Sequence, residues 1–249
     1  MRHATPTSPD SRPAVSASRH ETGRPFSLLF VCTGNICRSA LAERYVRAYL
    51  AEHLGADSGA VVVASAGTRA VIGSAMHPHS ATVLHGLGGD PTDFRARKLA
   101  PVMADRADLV LAMTRDHRRA VLAMSPGALP RTFTLLEAAD VVALVGPGLD
   151  LAGERFADRC RALVKTMSRS RSRRPAGRPD EVLDPVGRPL DVHEEVGDLI
   201  SASLDPLLAR LVSLRGAPAG HTAGTLLAEQ DTPATDATCV TAHRGPSAS

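Results

Sequence analysis

The chain has 249 residues, 43% hydrophobic and 22% charged, and carries a formal net charge of +3. That balance excludes a mostly disordered or fibrous polymer and a surface built to hold polyphosphate. Five Phe, two Tyr and no Trp leave the core to Leu, Val, Ala and Ile, and make a base-stacking platform for nucleic acid a poor reading.

Residues 1–25 are Thr, Ser, Pro and Arg without apolar periodicity and are expected to form a flexible arm. They hold no apolar run of the signal-peptide kind, and no apolar stretch in the chain is long enough to span a bilayer. A cytoplasmic protein with no membrane span is the expectation. Phe26–Val31 reads as a buried strand and Ser39–His53 as a helix with Leu41, Tyr45, Ala48 and Tyr49 on one face. Val61–Ala64 is a second strand and Met76–Leu87 a second helix, stopped by glycines 86, 88 and 89. Asp108–Met113 is a third strand, followed by the helix Arg115–Met124, and Arg131–Leu135 is a fourth.

Strand and helix alternating in this way predict an α/β fold, a parallel sheet with helices on both faces. Ligands of such sheets bind at the carboxyl ends of the strands. Residues 168–179 hold five arginines and are expected to be a solvated loop. Asp191 and Glu194 have the spacing of a capping box for a last helix, with Val192, Val196, Leu199, Ile200 and Ser203 inward, and Pro206 is expected to kink or divide it. The domain is expected over 26–215, with a long loop at about 138–182 and a disordered tail at 216–249.

Four cysteines are too few and too scattered for a disulfide scaffold, and no pair has zinc-knuckle spacing. Cys32 and Arg38, however, bound a C-x5-R run between a buried strand and a helix. The spacing alone is weak, but the context is not. A thiolate is the reactive form of cysteine, and backbone N–H groups at a helix N-terminus stabilise it and cradle a tetrahedral oxyanion. Gly34 permits the tight turn, Asn35 tolerates a left-handed backbone, and Ser39 can donate its hydroxyl to the sulfur. Arg38 supplies a planar fork for two phosphoryl oxygens.

The run Val31-Cys-Thr-Gly-Asn-Ile-Cys-Arg-Ser39 resembles the signature loop of the low-molecular-weight protein tyrosine phosphatases. The likeness continues through Ser65-Ala-Gly-Thr68, residues 107–114 and Asp184-Pro-Val-Gly187. The resemblance implies a four-stranded parallel sheet, no cofactor or metal, and a phosphocysteine intermediate. It implies Cys32 as nucleophile, and Thr33, Gly34, Asn35, Ile36, Cys37 and Ser39 with Arg38 as the phosphate-binding loop, shaped by Asn35 and Ser39. It also implies a phosphotyrosine protein substrate, a bacterial tyrosine kinase being one candidate.

Such chemistry needs an acid for the leaving group. Three aspartates precede proline: Asp90, Asp184 and Asp205. Asp90 falls in a surface turn and Asp205 within the last helix, whereas Asp184 lies in an extended loop, where the family carries its acid. Asp184 is therefore assigned. His77 and His79 lack a third ligand nearby in the sequence and are read as surface residues, Tyr45 and Tyr49 as packing, and Cys160 and Cys239 as incidental. Cys37 reads equally as an apolar filler and as a resolving thiol for oxidised Cys32.

Some positions depart from the family pattern: Ala40 stands where Pro is common, Phe94 where many members carry a His that braces the loop Asn, and Val186 where an aromatic is frequent. Residues 68–73 also lack an aromatic. The alternatives are a thiol-dependent arsenate reductase, which needs further cysteines near the pocket, a protein-arginine phosphatase, whose loop has Thr where Ile36 stands, and a non-catalytic oxyanion- or phosphoprotein-binding module.

Overall fold

The structure is a computed structural model that describes residues 23–146 and 151–216. The arm at 1–22, the tail from 217 and Cys239 lie outside the described residues. Four parallel strands are ordered β2-β1-β3-β4: β1 Phe26–Cys32, β2 Val61–Gly67, β3 Leu109–Ala112 and β4 Thr132–Thr134. Leu28 and Phe30 of β1 point to one face, Leu29 and Val31 to the other, and all four are buried. This is why the strand is an unbroken apolar run.

On the first face pack α1 (Arg38–Leu54), α2 (Pro78–Gly86), α5 (Leu135–Leu144), α6 (Phe156–Ser170) and α7 (Leu190–Ser213). The short α3 (Pro101–Arg106) and α4 (Arg115–Met124) cover the other, where Ala104 and Val121 meet Leu29 and Val110. The expected α/β class, with helices on both faces, is what the chain adopts. Strand β2 runs three residues beyond its apolar core, because Ser65 is buried there with its hydroxyl bonded to Asn35 and Glu43.

Several expectations need correction. The stretch 138–182 is not one long loop: it contains the rest of α5 and all of α6. Phe156, Cys160, Leu163, Val164 and Met167 recur at helical spacing and are buried, but arginines interrupt the pattern in sequence. One of them, Arg159, is itself buried because it donates to the carbonyls of Gly153, Glu154 and Leu214. Residues 168–179 are only partly the expected solvated loop: 168–170 end α6, 175–179 are exposed, and two of the arginines between are engaged. Arg171 lies 4.0 Å over the Phe133 ring and pairs with Glu137, while Arg174 pairs with Asp140 and Asp180.

The capping box expected at Asp191 does not form either. Helix α7 starts at Leu190 after Pro189, so Asp191 is already inside the first turn. The buried face of α7 is His193, Val196, Ile200, Leu204, Leu207 and Leu211, and Leu199 is exposed. Pro206 does not divide the helix. It and Ala202 are both exposed, so the carbonyl that Pro206 leaves unbonded is open to water.

Candidate active site

The loop 33–37 lies at the carboxyl end of β1 and runs into α1. Cys32, the last residue of β1, precedes it and is 2% exposed. The Cys32 sulfur lies 2.9 Å from the Ser39 hydroxyl, and the Asn35 N–H donates to it at 3.3 Å. Asn35 has φ 56° and is fully buried. Its side-chain NH2 donates to Ser39 (2.9 Å) and Ser65 (2.7 Å), and its oxygen accepts the Arg97 N–H at 2.8 Å. These bonds brace the loop without a contribution from position 94, where Phe94 is buried in the core.

Ser65 in turn donates to Glu43, a buried carboxylate that also pairs with Arg47 and Arg97. The loop is thus anchored by a hydrogen-bonded chain that reaches into α1. A second wall comes from residues 67–71. The N–H groups of Thr68, Arg69 and Val71 donate to the carbonyls of Cys32, Thr33 and Gly34 at 2.9, 2.9 and 3.0 Å. A Cβ on Gly67 would lie 2.5 Å from the Thr33 carbonyl oxygen and 3.0 Å from the Asn35 nitrogen. Only glycine permits that approach.

Arg38 is 4% exposed. One terminal nitrogen donates to the Val182 carbonyl at 3.0 Å and the other to Asp184 at 2.5 Å, while its Nε is buried without a partner. A buried cationic donor left unsatisfied is costly, and an oxyanion in the loop would satisfy it. The segment bearing Asp184 is pinned upstream, where Asp180 accepts from Arg115 (2.5 Å), Arg174 (2.6 Å) and Thr134 (3.3 Å). Burial opposes the Asp180 charge, but these arginines outweigh it and hold its pKa below the ordinary value. Val182 adds a 2.9 Å bond to the Met113 carbonyl.

The structure therefore brings Asp184 onto Arg38, 146 positions earlier in the sequence, at the end of the loop that follows Cys32. Asp90 is exposed and turns back on its own Thr92, and Asp205 accepts from Tyr45 on the surface of α7. Among the loop residues, Thr33, Gly34 and Ile36 are partly open to solvent, whereas Asn35, Cys37 and Ser39 are buried. Burial pushes the Cys37 thiol up to about 11.

Sequence reasoning missed His117. Its Nε2 lies 2.8 Å from the Thr33 hydroxyl and its Nδ1 2.9 Å from Thr114, the cap of α4. Burial, then Arg38, lowers its pKa to about 4, so it is neutral at pH 7. The only signal in the sequence was its place three residues after a helix cap.

Residues 27–140 match the family model "Low molecular weight phosphotyrosine protein phosphatase". The probable low molecular weight protein-tyrosine-phosphatase EpsP of Ralstonia solanacearum is 34% identical over 111 residues, 45% of this chain and 71% of that protein. The chain belongs to this phosphatase family. The protein-arginine-phosphatase of Geobacillus stearothermophilus, 28% identical, aligns over 75% of this chain and 97% of its own. Among solved structures, the low molecular weight protein tyrosine phosphatase from T. tengcongensis is 28% identical. It covers 74% of this chain and 99% of its own, at a TM-score of 0.53. The structural likeness thus covers a larger share of the chain than residues 27–140, which the family model matches. Among the described residues no helix is long and apolar enough to cross a membrane.

Proposed function

We propose that the chain hydrolyses phosphotyrosine in proteins through a phosphocysteine intermediate, without using a metal. The observation that carries this reading is the convergence of a buried thiol, a buried arginine with an unsatisfied Nε, and an aspartate on one helix-capping loop. Binding alone requires neither a nucleophile nor an acid.

The phosphoryl group enters the loop, and its oxygens take the place of Asp184 at the Arg38 guanidinium and meet the loop N–H groups. The Cys32 sulfur attacks phosphorus, the bond to the aryl oxygen breaks, and Asp184 gives that oxygen its proton. Asp184 then takes a proton from water as the water attacks phosphorus, releasing phosphate and restoring the thiolate. Ser39 holds the sulfur, and Asn35 holds the loop that aims the N–H groups.

The rim favours an aryl ester. Ile36 is part-exposed on the loop, Val71 is bonded to it through the Gly34 carbonyl, and Leu183 and Val186 flank Asp184. Val71, Leu183 and Val186 are each about half exposed. They offer aliphatic surface to a phenyl ring but no stacking partner, which costs about 0.5–1.5 kcal/mol of aromatic pairing.

The test is a hydrolysis assay across phosphotyrosine, phosphoserine and phosphoarginine peptides, run beside Cys32→Ser. Wild type should prefer phosphotyrosine, and Cys32→Ser should still bind vanadate but not turn over, because a serine hydroxyl stays protonated at neutral pH. A preference for phosphoarginine would overturn the substrate class, and full activity in Cys32→Ser would overturn the covalent route.

A further inference from the structure

We propose that Cys37, His77 and His193 form a binding site for a thiophilic divalent cation of the zinc class, behind the phosphate-binding loop. In sequence His77 and His79 lack a third ligand; the fold supplies two. Cys37 comes from the end of the loop, His77 from the residue before α2, and His193 from the first turn of α7. Their ligand atoms lie within 4.8 Å of one another. A tetrahedral zinc ion bound at roughly 2.0–2.3 Å from sulfur and nitrogen asks for a modest closing of that triangle.

Two observations beyond proximity point to a ligand. His193 is 1% exposed, yet its Nε2 has no hydrogen-bond partner of normal geometry, and the buried Nδ1 of His77 has none either. The Pro185 carbonyl lies near His193 and favours its charged form only weakly against burial and the neighbouring His77 and His79. Buried imidazole nitrogens are rarely left orphaned. The other nitrogen of His193, Nδ1, lies 2.9 Å from the Ser80 hydroxyl, which leaves Nε2 as the free face, the arrangement that metal-binding histidines use. The buried Ser80 hydroxyl thereby orients the His193 ring.

The histidines are held together by packing of the backbone. Gly197 lies one turn after His193, and a Cβ there would sit 2.3 Å from Val83 of α2. That close crossing of α7 over α2 stacks the His193 ring on His77 at 4.7 Å. The ring of His79 stands 5.3 Å from that of His193, and His77 and His79 are partly open to solvent, giving an ion a way in and a fourth position for water. Binding replaces the thiol proton of Cys37, which leaves to solvent, and ties the loop to α2 and α7.

The test uses the full chain, purified free of metal and titrated with Co2+ and then Zn2+. Cobalt should give a near-ultraviolet thiolate band that Cys37→Ala abolishes, and zinc should displace it and raise the melting temperature. His77→Ala and His193→Ala should each weaken zinc binding by more than the roughly 10–100-fold that loss of an outer partner costs, and Ser80→Ala by roughly that amount. Circular dichroism confirms that the variants are folded, and part-exposed His77 keeps the test open should His193→Ala fail to fold. A cobalt spectrum without a thiolate band, or zinc affinity unchanged in His77→Ala, overturns the proposal and places any binding elsewhere on the chain.

Discussion

His117 gives the chain a pH-dependent weakness that a single substitution should remove. Its imidazole is 6% exposed, and burial first, then Arg38, takes its pKa from 6.5 in an ordinary setting to about 4 against the opposing pull of Asp184 and Asp116. Between these values the unfolded chain binds a proton that the folded chain refuses, so stability falls as pH falls. The full effect, reached below both values, is about 3 kcal/mol, and between pH 7 and pH 5 it amounts to about 2 kcal/mol. For a domain of this size that corresponds to about 4–8 °C in Tm. His117→Gln keeps partners for Thr33 and Thr114 but does not titrate in this range. Thermal unfolding at pH 7 and pH 5 should therefore show wild type losing several degrees more than the variant. His77 and His193, which also sit below the ordinary value, are present in both proteins and cancel in the difference. Equal losses in the two proteins would refute the reasoning.

Asp184→Asn should slow hydrolysis of a high-pKa aryl phosphate by roughly 100- to 10,000-fold and of p-nitrophenyl phosphate by less; equal slowing in steady-state assays would remove the acid role. Ile36→Thr should shift the ratio of kcat/KM values from phosphotyrosine towards phosphoarginine peptides, and an unchanged ratio counts against the rim as a selector. Gly67→Ala forces the strand end off the loop carbonyl and should cost about 1–3 kcal/mol in urea unfolding, with a loss of kcat. Asp180→Ala leaves Arg115 without its ion-pair partner and Arg174 with Asp140 only, at about 2 kcal/mol, less than the 3–5 kcal/mol for breaking a fully buried pair; it should also lower kcat most for poor leaving groups, since the Asp184 segment loses its anchor.

The parallel sheet was legible because strands buried on both faces are written as apolar runs, and α4 was legible to the residue because Thr114 caps it. The loop after β1 was legible because its pattern is local: Cys32, Arg38 and Ser39 lie within eight residues. What was not legible depends on contacts distant in sequence. The signature Thr134-x-x-Glu137 caps α5 through both of its reciprocal bonds, yet it went unread, while the same spacing at Asp191 pointed to a cap that does not exist. The difference lies in context: Thr134 ends a strand, whereas Pro189 starts the helix before Asp191 is reached. Helix α6 was hidden because buried Arg159 and the part-buried Arg171 and Arg174 that follow the helix satisfy their charge through carbonyls and carboxylates that no local pattern reveals. The joining of His193 to His77 rests on one glycine in a helix face, a signal that is silent until the helices are packed.

The 146 residues between Arg38 and Asp184 have a consequence for the protein as it is made. A ribosome adding about 5–20 residues per second completes Asp184 about 7–30 s after Arg38. During that interval the emerging chain carries Cys32 without the Val182 carbonyl and the Asp184 carboxylate that hold the Arg38 guanidinium. The proposed nucleophile is thus made well before the residue proposed as its acid. The Arg38 contacts can therefore assemble only after residues 182–184 have emerged and folded back onto the loop.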